Sequence, residues 1–397
     1  VSKVVSGLER WLGSGRRESP VADGAGIGLV VHAASVDASA VHAIRRVADG
    51  GRFRIRRLFA PEHGLCGHEQ DMERVADHRD PASGVPVVSL YGATAESLRP
   101  SPADLRDLDA IVYDLQDVGS RYYTFVSTLS FLMEAARDAG VSVVVLDRPN
   151  PIGGVQVEGP VLQPGLASFV GRYALPVRHG MTAGELARMF NEAFGIGCDL
   201  RVVELGGWRR SMSFDDTGLP WVPPSPNMPS PRTALVYPGG CLVEGTNLSE
   251  GRGTTTPFEQ VGAPWLDGGA LAAALGREAL EGVLFRSASF RPMFHKHAGR
   301  GCSGVQVIAT DAARFRPFDT YLALLREARR LAPESFAWRA EAYEFETERL
   351  AIDLLLGRSD LRPAIEAGAT LAEMRATWRA DLEGFRELRR RFLLYED

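Results

Sequence analysis

Glu62 and His63 stand side by side in Pro61-Glu62-His63-Gly64, directly after a run from Phe53 to Phe59 that reads as a strand. A proline stops a strand. Both side chains are therefore expected on the loop beyond its carboxyl end, where open α/β sheets place their ligands. In a partly desolvated crevice a glutamic acid keeps its proton and can pass it to a leaving oxygen, while a second group stabilises or attacks the cation left behind. A turn with a hydrogen-bonded histidine is the plainer reading of the same four residues. A metal reading would use His63, His68, Asp71 and His78, but their spacing matches no closed zinc motif. A Cys66–His63 nucleophile has no recognisable oxyanion hole beside it.

Two further stretches carry charge directly after apolar runs. Ala110 to Tyr113 leads into Asp114-Leu115-Gln116-Asp117 and Arg121, and Val141 to Leu146 leads into Asp147-Arg148. The acids can cap the helix that follows, and the arginines can pair with those acids. In a crevice, an arginine fork is also suited to holding a carboxylate. Glu244 to Thr256 holds too many glycines and hydroxyls for a core element and reads as a binding loop carrying Asn247, Glu250 and Arg252. It lacks the order of a phosphate-binding P-loop.

The elements that would position these groups alternate. Strands are expected at Gly26–Val31, 53–59, 86–90, 110–113 and 141–146, with helices over 40–48, from Ser101, over 122–139 and from Thr182 to Phe194. Such alternation implies right-handed β-α-β units and a mostly parallel sheet. His32, Glu62, Tyr91, Asp114, Asp117, Asp147 and Arg148 would then meet at one sheet edge. The glycines at 24, 26 and 28 precede or fall within the first strand rather than opening a helix, so no nucleotide cofactor is expected. Pro220 to Pro238 is aperiodic and reads as a linker or rigid wall, with a boundary near Val236 dividing the chain into 1–235 and 236–397. Beyond it, an α+β pattern is expected: a helix from Ala270, strands at 283–290 and 304–309, a helix over 319–330, and one amphipathic helix after Thr370.

The chain has 397 residues, 45% of them hydrophobic and 24% charged, which suits a folded protein of two ordinary domains. A formal net charge of -5 gives no field for nucleic acid. The four cysteines form no paired motif, and no apolar run approaches the ~18 residues of a membrane span. No signal-like apolar segment lies in Val1 to Arg17, so a cytoplasmic location is expected, with export possible if a leader has been removed.

Six blocks together resemble one family. They are Pro61–Gly64, Tyr113–Thr124, Leu146–Gly154, Arg178–Thr182, Pro224–Pro229 and Glu244–Thr255. The family is the bacterial exo-β-N-acetylmuramidases called NamZ. The resemblance implies a Rossmann-like amino-terminal domain and a smaller carboxy-terminal domain that completes an active-site cleft; no cofactor and no metal ligand is expected. It implies release of N-acetylmuramic acid from the non-reducing end of peptidoglycan-derived fragments, with Glu62 as the catalytic residue. On that basis Glu62, His63 and Asp117 are the expected catalytic groups, and Glu250 is an alternative second carboxylate. Asp114, Arg121, Asp147, Arg148, Asn247, Glu250 and Arg252 are the expected substrate contacts. Arg121 or Arg252 would meet the lactyl carboxylate of the muramyl sugar. The chain departs from the family pattern at Cys66 and at Val31-His32. A non-catalytic binder of cell-wall sugars and a metal-dependent hydrolase are the competing readings.

Overall fold

The computed structural model describes residues 4–15 and 17–397. Its centre is a seven-stranded sheet in the order β3-β4-β2-β1-β5-β6-β9. The strands are β1 (Gly26–Val30), β2 (Arg54–Ala60), β3 (His78–Arg79), β4 (Pro86–Ser89), β5 (Ala110–Tyr113), β6 (Ser142–Leu146) and β9 (Leu200–Val203). All neighbours pair parallel except the short edge strand β3. Every residue of β1 and β5 is buried, as expected of strands covered on both faces. The two-residue period assigns the faces. Ile27, Leu29 and Val31, with Val144 and Leu146, point into a core shared with Leu8 and Trp11 of α1 (Gly7–Gly13) and Val47 of α2 (Ala43–Gly50). Val30, Val143 and Val145 point into the other core, with α3 (Phe125–Ala139) and α4 (Ala183–Glu192).

A two-stranded ribbon, β7 (Glu158–Val161) with β8 (Pro176–Arg178), lies outside the main sheet. The carboxy-terminal part carries an antiparallel sheet in the order β10-β12-β11, from β10 (Gln260–Ala263), β11 (Val283–Phe290) and β12 (Cys302–Ala309). Around it lie α5 (Pro231–Gly240), α6 (Gly268–Leu275), α7 (Pro317–Leu331), α8 (Ala351–Leu356), α9 (Leu361–Glu366), α10 (Leu371–Ala376) and α11 (Arg379–Arg389). Buried residues of α3, α5, α7 and α8 belong to one continuous hydrophobic cluster, so this part packs onto the first without an aqueous gap. No helix among the described residues is long and apolar enough to cross a membrane.

Several expectations shift. The Pro220–Pro238 stretch is irregular only as far as Ser230, whose hydroxyl caps Thr233 N–H and starts α5 with Pro231 in the first turn. Val236, the expected boundary, lies buried inside that helix. At Ser101 the cap bonds to Asp104 form, but only turns follow. The stripe after Thr370 is divided into α10 and α11 at Trp378, which buries against Phe318.

Candidate active site

The end of β2 builds the site. Its first four residues are partly exposed, its last three are buried, and Pro61 then turns the chain through a Gly64 N–H to Pro61 carbonyl bond of 3.0 Å. His63 and Gly64 take φ values of 70° and 73°, and a Cβ on Gly64 would come within 2.5 Å of Glu69 Oε2. A side chain there would be strained by the backbone and would have to push the Glu69 carboxylate aside. His63 Nδ1 donates to the Glu69 carbonyl at 2.8 Å, which fixes the tautomer and leaves Nε2 as an acceptor.

Glu62 is buried, and its Oε2 accepts from Thr124 Oγ1 at 2.6 Å. Thr124 is the N-cap of α3 but makes no side-chain cap bond, its hydroxyl serving Glu62 instead. The positive end of α3 therefore lies beside the carboxylate. The cleft in front is lined by Glu62, His63, Asp71, Glu244, Arg252 and Glu344 among its charged and titratable side chains.

Most of the charge around the cleft is internally matched. Arg252 reaches Asp71 (3.2 Å), Glu244 (2.7 Å) and Glu250 (3.2 Å), Lys296 reaches Glu250 (2.8 Å), and His295 reaches Asp71 (3.0 Å). Three acids thus meet three bases. Burial would raise the Asp71 carboxyl, but Arg252 and His295 overcome it and hold it well below the usual range. The Asp71 hydrogen bond raises His295 above the ordinary imidazole value. Among the described residues Glu62 and Glu344 have no ion-pair partner; their hydrogen bonds come from the hydroxyls of Thr124 and Tyr91 (2.8 Å to Glu344).

Other expected residues lie elsewhere. Asp114 and Arg148 form a buried two-pronged pair at 2.6 and 2.9 Å, with Arg148 also donating to the Val36 carbonyl. Asp147 accepts from Thr182 Oγ1 (2.7 Å), Gly184 N–H (2.8 Å) and the Tyr395 hydroxyl, which ties β6 to α4 and the chain's last residues. Burial pushes its carboxyl up to about 6. Arg121 donates to the carbonyls of Pro160, Leu175 and Leu355 and is fully enclosed, so it is not available to a substrate carboxylate. Asp117 accepts the Gly119 N–H at 2.7 Å, outside the cleft lining. His179 Nε2 sits 3.6 Å from it. Burial drives Asp117 up to about 7 and His179 down to about 3, so His179 is uncharged at neutral pH and the contact is no ion pair. Asn247 bridges Ser335 and Ala337. Of the expected set, Glu62, His63 and Arg252 line the cleft, with Glu250 directly behind Arg252.

His32 is buried, accepting from Gln116 N–H at 2.9 Å and facing the Pro224 carbonyl at 3.3 Å. Burial holds it well below its ordinary value, so it is a neutral strut. Cys66 is an exposed free thiol.

Residues 27–232 match the family described as exo-beta-N-acetylmuramidase NamZ, N-terminal, and residues 235–395 match its C-terminal counterpart. The chain belongs to the NamZ family. It is 41% identical over 393 residues to the peptidoglycan beta-N-acetylmuramidase NamZ of Bacillus subtilis (strain 168), covering 99% of this chain and 92% of that one. A crystal structure of a DUF1343 family protein from Bacteroides fragilis NCTC 9343 matches with a TM-score of 0.87 at 31% identity, over 99% of both chains. A second from the same organism gives 0.78 at 28%, over 100% of both.

Against the NamZ reading, sequence reasoning missed Glu344, Tyr343 and Thr124 as cleft residues and took Asp71 only as a possible metal ligand. Thr124 closes one of the six blocks, a signal that was available. Glu344 has no comparable signal, because its segment lies between helices and outside every block. No group of three or more His, Cys, Asp or Glu among the described residues is arranged to hold a metal ion.

Proposed function

We propose that the chain is a glycosidase that releases N-acetylmuramic acid from the non-reducing end of peptidoglycan-derived fragments. The observation that carries this reading is Glu62: a buried carboxylate at the carboxyl end of a parallel strand, fixed by Thr124, without a cationic partner, in a narrow cleft within a chain that matches NamZ along its length.

Glu62 is the proposed catalytic carboxylate, and His63 shapes its loop through Glu69. Arg252 is the proposed partner of the lactyl carboxylate. It lines the cleft, and its Nε, though 3.2 Å from Asp71, has no hydrogen-bond acceptor. Residues 1–235 would supply Glu62 and Thr124, and residues 236–397 would supply Glu244, Arg252 and Glu344. The test is hydrolysis of 4-nitrophenyl β-N-acetylmuramide beside the matching β-N-acetylglucosaminide. Release from the muramide alone is expected. Release from neither sugar would overturn the reading.

A further inference from the structure

Among the described residues, Glu344 is the one that lines both the enclosed cleft and a second, wider groove bordered by Leu98, Phe131, Phe169 and Phe345. It stands where the two spaces meet. Its backbone is held in the left-handed region, φ 47° at Glu344 and 66° at Phe345, and two successive non-glycine residues there are uncommon. Three contacts enforce the bend. Tyr343 pairs with Glu346 in a local bridge, the Tyr343 hydroxyl donates to Glu244 Oε2 at 2.7 Å, and the Phe345 ring packs edge-on to Tyr91 at 5.3 Å. Such conformations persist where the surroundings over-determine them, and they cluster at functional sites.

Resting on the exo-muramidase reading, we propose that Glu344 is the general acid of the reaction and that the groove beyond it receives the leaving sugar. When the terminal sugar fills the cleft beside Glu62 and the rest of the fragment lies in the outer groove, the scissile oxygen falls at their junction, against Glu344. The C1–O bond breaks with its electron pair going to the leaving oxygen, which takes the Glu344 proton. A water oxygen bonds to C1 and yields its proton to the Glu62 carboxylate. The two protons re-equilibrate with solvent. The acid role that the sequence suggested for Glu62 thus passes to Glu344, and Glu62 becomes the base.

The groups facing Glu344 fit that division. Glu62 after β2, Asp71 in the next loop and Glu244 at the start of the binding loop are all acidic, and Tyr91 supplies the hydrogen bond. Burial and the nearby Glu62 charge keep the Glu344 carboxyl well above its ordinary value, which favours its protonated form. A carboxyl whose surroundings hold its proton is placed to act as the acid.

The test compares two leaving groups. 4-Nitrophenolate departs with little help, whereas the N-acetylglucosamine of a MurNAc–GlcNAc disaccharide needs a proton. In Glu344→Gln, kcat/KM on the disaccharide is expected to fall at least about 100-fold more than on the 4-nitrophenyl muramide. Glu62→Gln should lose both alike. Tyr91→Phe removes only the hydroxyl donated to the Glu344 carboxylate, so the basic limb of its kcat/KM profile should move to higher pH. Equal losses on both substrates in Glu344→Gln, or the sparing of the aryl substrate by Glu62→Gln instead, would overturn the assignment. A wild-type protein inert on both muramides would instead count against the exo-muramidase reading itself.

Discussion

Two places at the carboxyl end of the central sheet gather charged side chains, and they are built differently. The strand order reverses between β1 and β5, where open α/β folds ordinarily bind their ligand. Here that place is filled. His32 joins Gln116 to the Pro224 segment, and Arg148 grips Asp114 and the Val36 carbonyl. The candidate cleft lies one strand over, beyond β2, roofed by residues of the carboxy-terminal part. Charged side chains at the first crevice are neutralised by one another or kept neutral by burial. At the second, the carboxyls of Glu62 and Glu344 have hydroxyl partners alone. A carboxyl held only by a hydroxyl is free to give or take a proton, whereas one locked in a dry ion pair is not.

Substitutions can separate the two regions, beginning with the largest effect. Replacing Glu62 by Gln should lower kcat on a muramide by roughly 100- to 10,000-fold with little change in melting temperature, measured on the same preparation. Arg148→Met should do the reverse. It strands Asp114 in a dry interior, which costs about 3–5 kcal/mol of stability in denaturant titrations, while the remaining folded fraction keeps its kcat.

Smaller effects sharpen the distinction. Arg252→Lys keeps the charge but loses the planar fork, and should reduce muramide turnover about 10-fold more than any residual glucosaminide turnover, because a bidentate partner is lost. Equal losses would detach Arg252 from the lactyl group. Asp117 tests the buried network through pH. Its folded carboxyl is pushed up to about 7, so the unfolded chain releases that proton first, and stability declines as pH rises from the ordinary carboxylate range through about 7. Asp117→Asn should flatten this part of the stability–pH curve; an unchanged slope would contradict the burial argument. Treatment with EDTA should leave the rate within about twofold of the untreated sample, far below the 100-fold or greater loss expected when a catalytic group is removed.

The sequence made the parallel sheet legible because buried strands read as short apolar runs, and the stop at Pro61 gave Glu62 its place. The capping boxes at Thr182 and Thr370 formed as written. Other features were hidden for physical reasons. The strand β9 is partly exposed and lacks the apolar run that announced β5, and β7 and β8 form a ribbon outside the main sheet. Charges after apolar runs look the same whether they end in a dry pair, as Asp114 and Arg148 do, or in a cleft, as Glu62 does. Which arginine faces substrate depends on where distant carbonyls fall, and those of Pro160, Leu175 and Leu355 captured Arg121. Glu344 reaches the cleft through a left-handed bend of two non-glycine residues, a conformation that composition does not announce.

The most direct test of the account is a crystal structure of Glu62→Gln with an intact MurNAc–GlcNAc disaccharide. The account predicts the muramyl ring in the cleft between residue 62 and Arg252, with the second sugar passing Glu344 into the outer groove. A disaccharide seated instead at the switch-point crevice, against His32, Asp114 and Arg148, would contradict it.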